Sequence, residues 1–308
     1  MFRWFVGLVM ILAVTGCISS AVRSELPLAA ESVLTTPTVA VLNPTSVVAP
    51  VTAETITSTV TCQETSCQAA SHQLDMLVPS QTLGQEVPVR IFVPSCDSCT
   101  GAGLPVIYLL HGASADESQW DDVAIDEAAD EGRAKGIFPP LILVFPKRID
   151  DSFRPRPDGD LSFEHFVIAE LIPWVEVHTP ARPDRDHRAI GGISRGGFWA
   201  LEIAFRHPDL FSAVGGHSPA VGPQSDPFSP LGLVSARPAD LRSLRIWLDV
   251  GTEDSLRAGV AQLAAALTAA EIPNTLEQWP GGHDRPYWRS HVSDYLTFYT
   301  ASWGAAAN

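Results

Sequence analysis

A serine held on a tight turn between a strand and a helix is a potential nucleophile, and Gly192-Ile193-Ser194-Arg195-Gly196 has the form such a turn requires. The pentapeptide alone is a weak signal, because it also occurs by chance in glycine-rich packing turns. Its setting strengthens it: an apolar run, Arg188–Ile193, leads in and a helical pattern follows. Gly192 and Gly196 are the elbow glycines, since side chains there would crowd a sharply bent backbone. A serine hydroxyl needs a base. Of the nine histidines, His283 in Pro280-Gly281-Gly282-His283-Asp284 is the choice, on a glycine-rich loop after a strand pattern and before the last helix. His217 is its main rival as a residue lining the pocket, and His111 reads as an organiser of its own turn. The acid that orients the imidazole belongs after a strand between serine and histidine. Asp249, Glu253 and Asp254 all lie there; Asp254, three residues beyond Gly251 and opening the next helix, is preferred. The oxyanion of an acyl-transfer intermediate needs backbone donors. The N–H of Arg195 is one, and the loop after Val106–Leu110 offers the N–H of Ala113, with Gly112 second.

These groups must be carried by elements that the pattern of apolar residues predicts. Gln73–Val78 and Val87–Val93 read as an antiparallel pair turning at Gly84. Short apolar runs at Val106–Leu110, Leu141–Phe145 and Ala189–Ile193 read as buried strands. Ala213–Gly216, Ile246–Val250 and Thr275–Trp279 are further strands. Helices are predicted over Val123–Lys135 (ending at Gly136), Ser162–His178, Arg195–Arg206, Leu256–Ala270 and Tyr287–Tyr299. Strands alternate with helices, so the fold class is α/β: a mostly parallel central sheet with helices on both faces. Residues Ser194, Asp254 and His283 then occur in the chain order of α/β hydrolases.

Short blocks in order resemble one family. They are Tyr108–Gly112, Gln119-Trp120, Glu170–Pro173, Arg188–Gly197, His207–Phe211, Gly251–Asp254 and Gly281–His283. Together they resemble the esterase D-like, feruloyl esterase-like family of α/β hydrolases. That family includes feruloyl and acetyl xylan esterases, S-formylglutathione hydrolases, enterochelin esterases and mycolyltransferases. The resemblance runs from about Val87 to Phe298 and implies the α/β-hydrolase fold and a Ser194/Asp254/His283 triad. Arg195 departs from the methionine that many members carry, and a cation there is expected to favour acidic substrates or to narrow the pocket.

The remaining sequence bears on place and partners. The chain has 308 residues, is 45% hydrophobic and carries a formal net charge of −15. With no basic stripe to neutralise phosphates, a nucleic-acid partner is excluded from the reading. Residues 1–17 read as a lipoprotein signal peptide. Arg3 precedes the apolar run Phe5–Val14, which is too short to span a bilayer. Val14-Thr15-Gly16-Cys17 has the form of a lipobox, which makes Cys17 the candidate lipidation site and the lipid the only expected membrane contact. Residues 18–61, rich in Thr, Pro, Val and Ala, read as a flexible linker. The catalytic domain is assigned to residues 62–304. An exported protein keeps its thiols in an oxidising compartment, so Cys62, Cys67, Cys96 and Cys99 are disulfide candidates with three possible pairings. A zinc site at Cys96-Asp97-Ser98-Cys99 is the weaker alternative.

The expectation is therefore a serine ester hydrolase, lipid-anchored with its domain outside the cytoplasm. It would act on a small-molecule ester or an acylated glycan, without cofactor or metal. Two alternatives remain: an acyltransferase using the same triad, and a non-catalytic binding lipoprotein with a relic fold. Pro146–Leu161, with Lys147, Arg148, Arg154 and Arg156, and the Pro- and Gly-rich Ser218–Asp240 are the segments expected to shape specificity. The cationic loop predicts an acidic ester.

Overall fold

The computed structural model describes residues 70–95, 103–148 and 163–304. Cys17, Cys62, Cys67, Cys96 and Cys99, the proposed signal and linker, and Arg154 and Arg156 lie outside the described residues.

The first described elements are a hairpin, β1 (His72–Ser80) and β2 (Gln85–Val93), paired in register from His72 with Val93 to Ser80 with Gln85. Gly84 turns it with φ +66°, a conformation glycine adopts without strain. β3 (Val106–Leu110) follows, then the short α1 (Gln119–Asp122), α2 (Ile125–Ala134) and β4 (Ile142–Pro146). Next come α3 (Phe163–His165), a π-helical turn over Phe166–Leu171 and α4 (Ile172–His178). The rest is β5 (Arg188–Ile193), α5 (Arg195–Arg206), β6 (Ala213–His217), α6 (Pro230–Ala236), β7 (Arg245–Gly251), α7 (Arg257–Ala269), β8 (Asn274–Trp279) and α8 (Arg285–Thr300).

The eight described strands form one sheet in the order β1-β2-β4-β3-β5-β6-β7-β8. β2 meets β4 antiparallel, and all pairings from β4 to β8 are parallel. The central strands are buried on both faces. On β3, Val106, Tyr108 and Leu110 enter one core with α5, α7 and the α3–α4 segment. Ile107 and Leu109 enter a second core with α2 and α8. Period-two alternation feeding two apolar layers explains why the run reads as continuously hydrophobic. This is the α/β-hydrolase-like architecture that the alternation of strands and helices predicts.

Two details differ from the expected elements. The helix expected over Ser162–His178 is interrupted by the π-helical turn, because Pro173 has no N–H to donate to the preceding turn and the ladder shifts register there. The slack is used: Glu170, on that turn, accepts from Ser80 Oγ at 2.5 Å and from Thr82 N and Oγ1 at 3.0 and 2.9 Å, tying down the β1–β2 turn. In the Pro- and Gly-rich Ser218–Asp240, α6 forms where Ser229 caps the Gly232 N–H at 3.0 Å and Pro230 opens the helix.

Candidate active site

The strand-to-helix turn after β5 is as sharp as its glycines suggest. Ser194 has φ +58° and ψ −113°, a sparsely populated conformation for a residue with a side chain. A Cβ on Gly192 would lie 2.2 Å from the carbonyl carbon of Gly196, and one on Gly196 would lie 2.2 Å from the Leu110 oxygen. The elbow therefore needs both glycines for backbone-to-backbone approach. Three main-chain bonds hold it: the Ser194 N–H donates to His217 O at 2.9 Å, and the Ser194 carbonyl accepts from Phe198 and Ala220 at 3.1 and 3.0 Å.

The loops after β7 and β8 bring two more predicted residues to this serine. His283 Nε2 lies 2.9 Å from Ser194 Oγ, and His283 Nδ1 lies 2.7 Å from Asp254 Oδ2. The other carboxylate oxygen of Asp254 accepts the Leu256 N–H at 2.8 Å, which fixes the carboxylate plane. Asp254 is buried, and the His283 ring is about one-third exposed. The Gly281 carbonyl accepts the Glu253 N–H at 2.9 Å, stitching the two loops together. Asp284 caps α8 through the Tyr287 N–H, so His283 sits one residue before a capped helix. Trp288 lies edge-on to the imidazole, with ring centroids 5.2 Å apart. The arrangement can move a proton from Oγ to Nε2 while a carboxylate holds Nδ1–H.

The oxyanion candidates separate. Arg195 opens α5 directly after Ser194, at the positive end of the helix dipole. The Gly112 N–H is engaged elsewhere: it donates to Gln119 Oε1 at 2.7 Å. That bond occupies Gly112, the second choice in this loop, and leaves the preferred Ala113, which borders the same cavity as Ser194 and His283. His111 does organise its turn. Its Nε2 accepts the Arg148 N–H at 2.8 Å, joining the loops after β3 and β4, and burial lowers its pKa.

His217 is not a pocket residue. It is fully buried beneath the elbow, its Nδ1 donating to Asp249 at 2.6 Å and its Nε2 lying 2.9 Å from the Tyr299 hydroxyl. Asp249 is equally buried and belongs to that cluster rather than to His283.

The cavity at Ser194 has a volume of about 520 Å³. Its wall after β3 carries Ser114, Asp116, Gln119 and Asp122, and its opposite wall carries Arg285 and Trp288. Arg285 bonds Asp122 at 2.6 Å, so an ion pair spans the two walls. Neither Lys147 nor Arg148 lines it: Lys147 faces Glu117 at 3.7 Å, and the Arg148 main chain serves His111. Trp288 and Arg285 carry no motif of their own in the sequence. Their nearness to His283 along the chain was the available signal. Among the described residues, no three of His, Cys, Asp and Glu converge as metal ligands.

Comparison with known proteins agrees with this fold. Esterase Rv1288 of Mycobacterium tuberculosis is 26% identical over 252 residues, covering 66% of this chain and 54% of its own length. Iron(III) salmochelin esterase of Escherichia coli O6:H1 is 28% identical over 229 residues, covering 68% of this chain and 54% of its own. The chain thus spans about half the length of these curated relatives. Among solved structures, a ferulic acid esterase is 27% identical with a TM-score of 0.69, covering 76% of this chain and 99% of that one. S-formylglutathione hydrolase from Staphylococcus aureus, at 21% identity and a TM-score of 0.63, covers 75% and 98% and shares the fold. The family model described as "Putative esterase" matches residues 80–299, and on that match the chain belongs to the esterase family.

Proposed function

We propose that this protein is a serine carboxylic-ester hydrolase working through an acyl-enzyme on Ser194. The observation that carries the reading is the hydrogen-bonded chain Ser194 Oγ–His283 Nε2 and His283 Nδ1–Asp254 Oδ2, at 2.9 and 2.7 Å, opening on a cavity. In the first half-reaction Ser194 Oγ attacks the ester carbonyl and its proton passes to His283 Nε2. Asp254 holds the ring and stabilises the imidazolium. The oxyanion is met by the N–H groups of Arg195 and Ala113. The tetrahedral intermediate collapses, the C–O bond to the alcohol breaks, and the leaving oxygen takes the proton from His283. Water then repeats the sequence, with His283 as base, and the acid is released.

The substrate class is a small-molecule ester or an acylated glycan. Among the described lining residues Asp116 and Asp122 outnumber Arg285, which favours a neutral alcohol portion beside them. The proposed setting is extracytoplasmic, anchored by a lipid on Cys17; its support is the apolar run and the lipobox pattern Val14–Cys17. Radiolabelled palmitate should be incorporated by the full chain and lost in Cys17→Ser.

The central test is hydrolysis of p-nitrophenyl acetate and longer acyl esters by the wild type and Ser194→Ala. The reading expects clear turnover that falls by about 10³-fold or more in the variant, as when a nucleophile is removed. Folded wild type as inert as Ser194→Ala across the series would overturn it.

A further inference from the structure

The Asp249 carboxylate is fully buried, yet it accepts four hydrogen bonds. His217 Nδ1 and Trp247 Nε1 donate to one oxygen at 2.6 and 3.0 Å, and the hydroxyls of Tyr287 and Tyr295 donate to the other at 3.1 and 3.0 Å. On the other side of the ring, His217 Nε2 lies 2.9 Å from the Tyr299 hydroxyl. The neighbouring strands make room for this. A Cβ on Gly191 or Gly215 would fall 1.7 or 2.1 Å from the Tyr299 oxygen. Burial and the charge of Asp249 raise the pKa of Tyr295 and Tyr299, keeping these hydroxyls protonated as donors.

A packed apolar core would fill this space at lower desolvation cost than a carboxylate. What an apolar core would lack is direction, and here the partners His217 and Tyr287 each touch backbone that holds a member of the site. The His217 carbonyl receives the Ser194 N–H at 2.9 Å. Tyr287 packs on the loop of His283: a Cβ on Gly281 would lie 2.7 Å from its ring. Asp249 itself stands on β7, whose exit loop carries Asp254, and its carbonyl accepts the Ser218 N–H at 2.8 Å. None of these side chains borders the cavity.

We infer that Asp249 is a positioning residue of the active site. Through His217 it holds the turn of Ser194, and through Tyr287 it holds the loop of His283, so that one buried carboxylate sets the separation of nucleophile and base. The inference rests on the esterase reading. Its consequence is a loss in the chemical step with little change in substrate binding, because the cavity walls are untouched.

The test uses the full chain carrying Asp249→Asn, Tyr287→Phe or, as a control for lost core packing outside the network, Val260→Ala in α7. Two rates are read: ester turnover, and covalent labelling of Ser194 by a fluorophosphonate. In labelling, the Oγ–P bond forms, fluoride leaves and His283 takes the proton. For Asp249→Asn the expected result is a kcat about 10- to 100-fold lower with KM within about twofold, since small displacements of reacting groups cost that much. The labelling rate should fall by the same factor. Tyr287→Phe, which keeps the shape of the ring, should lose about threefold in both rates and serves alone if Asp249→Asn does not fold. Val260→Ala should lower the melting temperature and leave both rates near wild type. Wild-type rates in folded Asp249→Asn or Tyr287→Phe, or an equal loss in Val260→Ala, would overturn the inference alone. A wild type that neither turns over nor labels would overturn the esterase reading, and this inference with it.

Discussion

The Gly112 N–H donates to Gln119 Oε1 at 2.7 Å, and this bond orients the peptide that presents Ala113 to the cavity. A backbone donor cannot be removed by changing its own side chain, so Gln119 is the practical handle on the Ala113 half of the proposed oxyanion site. Gln119→Leu strands a buried N–H, at a cost of about 1–3 kcal/mol, and frees the loop. A tenfold or greater loss in kcat is expected, below the roughly 10²–10³ of losing a donor outright. Gln119→Glu keeps the acceptor and should stay near wild type. Steady-state kinetics on p-nitrophenyl acetate decide it: a leucine variant with unchanged kcat removes Gln119 from the role.

Asp254 offers a sharper loss. Both of its oxygens accept, one from Leu256 N–H and one from His283 Nδ1–H. An asparagine must turn its NH₂ toward one of these donors. Facing His283, it drives the ring to the tautomer with a proton on Nε2, which cannot then take the proton of Ser194. Asp254→Asn is expected to lose about 10⁴-fold in kcat, as in a triad with its acid amidated, with a melting temperature close to wild type. A loss under about tenfold would assign the orienting role to another residue.

Gly196→Ala tests the elbow through geometry alone. The added methyl group would meet the Leu110 and His111 oxygens at 2.2 and 2.6 Å, and both are main chain, so neither can swing aside. Overpacking of this kind costs about 1–3 kcal/mol. Because the pushed atoms lead into the Gly112–Ala113 loop, activity should fall further than the folded fraction does. Urea unfolding beside ester turnover measures both. A variant with wild-type stability would show that the turn has slack that these distances do not suggest.

Much of this molecule is legible in the chain. The eight described strands are visible as apolar or alternating runs, most plainly β3 to β6, because strands buried on two faces leave no room for polar interruption. Ser194, Asp254 and His283 were found from their position after strand ends, and the structure brings them within hydrogen-bonding distance. Other features depend on partners far along the chain. His217 and Asp249 looked like rivals for the site because each follows or ends a strand near it. Only the packing of α8, with Tyr287, Tyr295 and Tyr299, turns them inward. Gly112 looked like a donor until Gln119 took its hydrogen. α6 was hidden by Pro and Gly, although Ser229-Pro230 was a readable start.

A last consequence concerns stability rather than catalysis. Glu202 on α5 is fully buried. One of its oxygens accepts from Arg206 at 3.1 Å, and the other has no partner among the described residues. Burial, and then the neighbouring charge of Glu164, raise its pKa well above that of a free glutamate. The folded protein therefore holds a proton that the unfolded chain gives up. Its contribution to stability is fully present below the unfolded value near 4.5 and is lost as pH rises through the folded one. Glu202→Gln is always neutral and keeps the oxygen that accepts from Arg206, so it escapes that loss. Urea unfolding from pH 4.5 to 8 should show the variant gaining on the wild type as pH increases. Parallel stability curves, with a constant offset across that range, would mean that Glu202 keeps an ordinary pKa in the fold.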